Sequence, residues 1–121
     1  MYEYIKFKFS SMISKINKTP IFTSGVASKL VDVNQKTMIN YENSGIIKIK
    51  KTSSGRRMYS QKDLFEIMVI RYLIKIKKLS SNGIKQIMKL INEAEKKGCD
   101  IYSVVVPQNV QEKFISKIEV V

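Results

Sequence analysis

Val26 to Ser60 reads VASKLVDVNQKTMINYENSGIIKIKKTSSGRRMYS. Two short helical patterns come first, with a tight polar turn between them. The first helix is expected over about residues 23–31, where Thr23 or Ser24 can cap the exposed amides and Val26, Ala27 and Leu30 share a face. Asp32, Val33 and Asn34 make the turn, with Val33 as an apolar plug. Asn34 then caps a second helix, about residues 35–43, in which Thr37, Met38 and Tyr41 point inward at 100° per residue. Lys36, Ile39, Asn40 and Asn43 take the opposite face, and Gly45 supplies the left-handed stop.

Beyond that stop, Ile47 and Ile49 alternate with Lys48 and Lys50. Thr52-Ser53-Ser54-Gly55 brings turn chemistry, and Arg56-Arg57-Met58-Tyr59 returns. The pattern is a basic hairpin, a wing on a helix-turn-helix. Ser60 and Asp63 form a capping box that opens a third helix ending near Lys78. Ser80 caps a fourth helix reaching about Lys97, with Ile84, Ile87, Met88, Ile91 and Ala94 in one stripe. That stripe is either core cover or a dimer seam.

The flanks are less regular. Ile5, Phe7 and Phe9 alternate with Lys6 and Lys8, which is a strand period, and SSMISKINK has the composition of a short helix. Ile101 to Val106 is expected as a strand closed by Pro107. Val110, Phe114, Ile118 and Val121 mark a final short amphipathic helix. The chain thus divides into an extension (1–19), the winged helix-turn-helix (20–79), one helix (80–98) and a strand-helix tail (99–121). The fold class is mainly α with a small β-hairpin.

Composition narrows the function. The chain has 121 residues, enough for one domain, and 44% of them are hydrophobic. Lys and Arg outnumber Asp and Glu by 22 to 10, a formal charge of +12, so a polyanionic partner is implied. A membrane is not expected. The most apolar stretch, Leu64 to Leu79, is broken by Glu66, Arg71, Lys75, Lys77 and Lys78, and the beginning of the chain lacks an apolar signal segment. With no histidine and one cysteine, neither a metal site, a cofactor nor a catalytic constellation is expected. Cys99 cannot form an internal disulfide, which favours a reducing cytoplasm, and it is expected to be inert.

These residues resemble the MerR family of winged-helix transcription regulators. The family runs through a Thr-Leu-Arg-x-Tyr-Glu recognition helix, a Gly-Leu step, a basic wing and an Arg-x-Tyr-Ser entry to the next helix. Here the positions read Thr37-Met38-Ile39-Asn40-Tyr41-Glu42, Gly45-Ile46-Ile47, Lys51-Thr52 and Gly55-Arg56-Arg57-Met58-Tyr59-Ser60. The doubled arginine and Gly83-Ile84-Lys85 are most similar to the heat-shock repressor and glutamine-synthetase repressor branches. The match covers about residues 20–92. Three positions depart from it: Ile39 stands for the recognition-helix arginine, Ile49 for the wing proline and Lys78 for the glycine before the fourth helix.

The resemblance implies a non-enzymatic, sequence-specific regulator in the cytoplasm, near the nucleoid. It would bind double-stranded DNA at a two-half-site operator as a homodimer, with RNA polymerase or another protein as a further partner. The DNA-facing set is Gln35, Lys36, Ile39, Asn40, Tyr41 and Asn43 on the second helix, with Lys48, Lys50, Lys51, Arg56 and Arg57 in the wing. Tyr41 belongs to this set although its period also points inward. Lys36, Asn40 and Asn43 suit base edges or phosphates, Ile39 a thymine methyl, and Arg57 a phosphate. Ile84, Ile87, Met88 and Ile91 are the candidate dimer residues, joined by the tail after Gly98. The rival readings are an excisionase-like architectural DNA binder and an interaction module for an acidic protein partner.

Overall fold

The computed structural model describes residues 2–118. In chain order it contains α1 (Tyr2–Ser14), β1 (Phe22–Thr23), α2 (Ser24–Val31), α3 (Gln35–Asn43), β2 (Lys50–Lys51), β3 (Arg57–Tyr59), α4 (Gln61–Lys75), α5 (Ser81–Lys96), α6 (Tyr102–Val105) and α7 (Gln108–Ile118). Helix starts follow the expected caps. Thr23 Oγ1 accepts from the Val26 amide at 3.4 Å, and Asn34 Oδ1 accepts from the Lys36 amide at 2.7 Å. The Ser60 and Asp63 side chains each accept from the other's backbone amide, a complete capping box. Ser80 Oγ accepts from the Gly83 amide to start α5.

The turn between α2 and α3 is closed from inside. Asp32 takes a left-handed conformation at φ 56°, which short polar side chains tolerate. Val33 is buried beneath it, and the Ser28 hydroxyl donates to the Val33 carbonyl. The buried face of α2 is Ala27 and Val31, while Val26 is 47% exposed, one position away from the expected stripe.

The strands form one antiparallel sheet in the order β1-β3-β2. Lys50 and Lys51 pair with Met58 and Arg57 to make the wing. Phe22 and Thr23 add a third strand against Tyr59 and Met58, which the sequence pattern did not show. Tyr59 is buried between the sheet and the helices. Helix α5 covers α4 through Ile84, Met88 and Ile91, all within the core.

Two expectations change. The alternating segment around Ile5 to Phe9 is helical, not a strand. Phe9 and Ile13, one turn apart, enter the core, and Phe7 is left 74% exposed. A helix satisfies its own backbone bonds, and the Phe9 ring gains contacts with Phe65 and Phe114 at 5.5 and 6.0 Å between centroids. Residues 101–106 also form no strand. They make the single turn α6, with Tyr102 and Val106 buried, and this turn sets the Tyr102 ring edge-on against Phe65 at 4.6 Å between centroids. The expected final helix exists as α7 and buries Phe114; Val121 lies outside the described residues.

The expected dimer residues divide. Ile84, Met88 and Ile91 are inside the chain's own core, whereas Ile87 is only half-buried, and the segment after Gly98 packs on α1 and α4. The inward part of the stripe is core cover, one of the two roles the spacing allowed.

Lys78 stands where the family pattern has glycine, and the structure shows what that position demands. Its φ is 56°, and the Leu79 amide reaches back to the Leu73 carbonyl at 3.2 Å to close the end of α4. A left-handed lysine costs about 1–2 kcal/mol through its Cβ. Lys78→Gly should therefore raise stability by about 0.5–1 kcal/mol after the added freedom of the unfolded chain. Lys78→Ala, which keeps the Cβ, should show no such gain. Urea-unfolding midpoints of the two variants check this.

Candidate nucleic-acid interface

The outer face of α3 is polar and open. Gln35, Lys36, Asn40 and Asn43 are exposed, and Ile39 lies among them half-buried. Met38 and Tyr41 point the other way into the core. Tyr41 is only 7% exposed, so it faces the core and not the open side of α3 on which the other expected residues lie. Burial pushes its phenol up and nearby Arg71 opposes this, which leaves a neutral ring. Helix α3 ends at Gly45, whose φ of 77° turns the chain toward the wing. The Lys85 ammonium from α5 lies against this glycine, where a Cβ would stand 3.3 Å from it.

In the wing, Lys48, Lys50, Lys51 and Arg56 are exposed, while Ile47 and Ile49 are buried beneath. Ile49 replaces the family's proline by filling the core from the first wing segment. The tip holds itself. Thr52 and Ser54 hydroxyls are 2.9 Å apart, and Thr52 Oγ1 accepts from the Arg56 amide at 3.1 Å.

Arg57 is placed differently from the expected phosphate contact. Its Nε donates to Glu42 Oε1 at 2.6 Å, and Lys51 Nζ lies 3.4 Å from Glu42 Oε2. Lys51 and Arg57 are direct partners across the β2–β3 ladder. Each oxygen of one carboxylate, on the last turn of α3, therefore holds one strand of the wing. Burial alone would raise the Glu42 carboxyl. The hydrogen bonds and charges of Arg57 and Lys51 outweigh that and hold it below the ordinary glutamate value. Glu42 was not among the expected site residues. Its signal was legible as the acidic end of the Thr37–Glu42 motif, opposite the only part of the wing where a lysine and an arginine face each other.

The arrangement places a helix with exposed amide and ammonium groups beside a hairpin with exposed cations. A helix of this kind fits a major groove and a basic hairpin the adjoining backbone. Residues 22–91 match the family model described as MerR HTH family regulatory protein. The chain belongs to the MerR family. A curated relative, "Putative heat shock protein HspR" of Streptomyces coelicolor, is 27% identical over 75 residues, which is 62% of this chain and 50% of the relative. The chain thus spans about half the length of the curated relative it matches. As a MerR-family member it carries a DNA-binding helix-turn-helix for transcription regulation, in which α2 and α3 are the helix pair and β2–β3 the wing.

Among the described residues, no group of three or more His, Cys, Asp or Glu side chains could hold a metal ion, and no helix is long and apolar enough to cross a membrane. Cys99 is exposed at the end of α5.

The Glu42 clamp has a pH signature. A carboxyl lowered by folding contributes stability that is fully present above its unfolded pKa, ordinarily ~4.3. That contribution disappears as pH falls through the lower folded value. Asp63 and Glu66, which burial pushes up, act in the opposite direction and are common to wild type and variant. Glu42→Gln should therefore be less stable than wild type at pH 7, with the gap closing as pH falls below the ordinary glutamate value. Urea midpoints measured across that range give the test, and a gap independent of pH would count against the clamp.

Proposed function

We propose that this chain is a sequence-specific transcription regulator that binds a two-half-site duplex operator as a homodimer. The observation that carries this reading is the exposed Gln35, Lys36, Asn40 and Asn43 face of α3 set beside the exposed Lys48, Lys50 and Arg56 of the wing. Side-chain amides and ammonium groups read donor and acceptor patterns in the major groove. The wing cations add counterion release, which is blind to sequence. The heat-shock wording in the relative's name makes heat stress the first condition under which to look for regulated genes.

Ile39 is the position where this reading departs most from the family pattern. An isoleucine there donates no hydrogen bond, and its methyl groups suit a thymine methyl. Half-buried among exposed neighbours, it is supported from beneath and still reaches outward. Ile39→Ala should cost roughly 1 kcal/mol at the preferred duplex and relax preference at one base pair. Ile39→Arg should raise affinity for all duplexes, because it adds a cation near phosphate. Selection of duplexes from a random pool by wild type and both variants reads this. A lowered melting temperature with unchanged base preference would make Ile39 a packing residue only.

Homodimerisation takes the face of α5 that the core leaves over. Gly83, Ile87, Leu90 and Ala94 recur at spacings of four, three and four, and Leu90 is 67% exposed. An antiparallel pairing through this stripe would set Ile87 against a second copy's Leu90. So small a seam predicts a weak dimer that DNA stabilises. Sedimentation at high micromolar concentration should show wild-type self-association that Leu90→Glu removes. Phe7→Glu, on the exposed face of α1, should leave it intact. Loss of dimer with Phe7→Glu and not with Leu90→Glu would move the seam to α1.

A further inference from the structure

The wing carries five cations, and the structure treats two of them differently. Lys48, Lys50 and Arg56 are exposed and make no ion pair among the described residues. Lys51 and Arg57 are both held by Glu42, whose side chain is 14% exposed. These two cations sit opposite each other in the ladder, and both reach Glu42 on α3. A phosphate approaching them meets a carboxylate already in place, so their contribution to sequence-blind attraction is reduced. The same bonds tie the end of α3 to both strands of the wing. The angle between the groove-reading helix and the backbone-gripping hairpin is then set before DNA arrives.

We propose that Glu42 is a positioning residue that sets sequence discrimination. It fixes the wing against the recognition helix, and it keeps Lys51 and Arg57 out of non-specific phosphate binding. The inference rests on the reading of the chain as a duplex-binding regulator. It adds that Arg57 acts through Glu42 rather than on phosphate, and that the clamp stays closed on DNA. Specific binding requires helix and wing to engage together in one geometry. Non-specific binding needs only cations near phosphates and gains when the clamp opens.

The test uses the full chain and two duplexes of equal length: one selected from a random pool by wild type, and one with the same bases scrambled. Affinity and its salt dependence are measured for each. Glu42→Gln should strengthen binding to the scrambled duplex and steepen its salt slope by about one. It should reduce the preference for the selected duplex on the order of tenfold, within the range that one mismatched base pair costs. Glu42→Asp keeps the charge but shortens the reach. It should lower the preference while leaving the scrambled-duplex slope at the wild-type value. Glu93→Gln removes an exposed carboxylate on α5 and serves as the control for net charge alone. Arg57→Ala should lower the preference with little change in slope.

Three results would overturn the proposal: Glu42→Gln shifting both duplexes equally, as Glu93→Gln does; Glu42→Asp keeping the wild-type preference; or Arg57→Ala lowering the slope by about one, which assigns Arg57 to a phosphate. Wild type that selects no duplex would overturn the underlying reading as well, which separates the two failures.

Discussion

Helix α4 has almost no side that water can wet, and the rest of the molecule is arranged to cover it. Leu64, Phe65, Ile67, Met68, Val69, Ile70 and Leu73 are all buried within four turns. One side is covered by α2 and α5, which are elements of the family module. Phe65 is on the other side, and it needs partners from outside that module. It finds Phe9, Tyr102 and Phe114 at centroid distances of 5.5, 4.6 and 5.0 Å, in tilted or edge-on packings. Each such ring removes about 150–250 Å² from water, so a bare Phe65 is a strong reason for both ends of the chain to fold back. The extension and the tail are therefore part of one core, the same one into which α3 sends Met38 and Tyr41 and the wing segment sends Ile47 and Ile49.

Charge is distributed by the same logic. The chain carries a large excess of lysine and arginine, and several of its few carboxylates are used inside the fold. Asp63 caps α4, and Glu66 and Glu95 flank Lys62 at 3.6 and 3.4 Å. Glu42 holds the wing. Burial pushes Asp63 and Glu66 up, since desolvation outweighs their partners, whereas the paired cations keep Glu42 low. The charged side chains left exposed on α3 and the wing include Lys36, Lys48, Lys50, Lys51 and Arg56, all cations. A strongly cationic surface binds any polyanion, and discrimination then depends on geometry. A single carboxylate shared between two strands is an economical way to supply that geometry.

The misread segments show where local pattern loses to packing. Around Ile5 to Phe9 the alternation was real, yet it described which residues are apolar and not which face they use. Phe7 is among the most exposed large side chains of the described residues, while Phe9 is fully buried. Residues 101–106 had strand composition, but Tyr102 was wanted by the aromatic cluster, and one helical turn delivers it. On α5, spacing marked the inward stripe correctly, and only the fold showed that this chain's own α4 occupies it. Lys78 is a different case. Its left-handed backbone was hinted at by the family's glycine, and the structure shows the lysine held there by the end of α4.

Caps, turns and the helix-turn-helix were determined by the sequence alone, because they depend on contacts within a few residues. Thr23, Asn34, Ser60 and Ser80 accept amide bonds two or three positions away, and Gly45 turns where only a left-handed residue fits. The outward face of α3 follows from the same short range, since a helical period places Gln35, Lys36, Ile39, Asn40 and Asn43 together. Tertiary structure decided the rest. It placed α1 beside α7, brought Phe9 and Phe114 to Phe65, and set Glu42 against Arg57 across 15 positions. Those pairings depend on which surfaces compete for the same buried space and the same charge, and no local pattern encodes that competition.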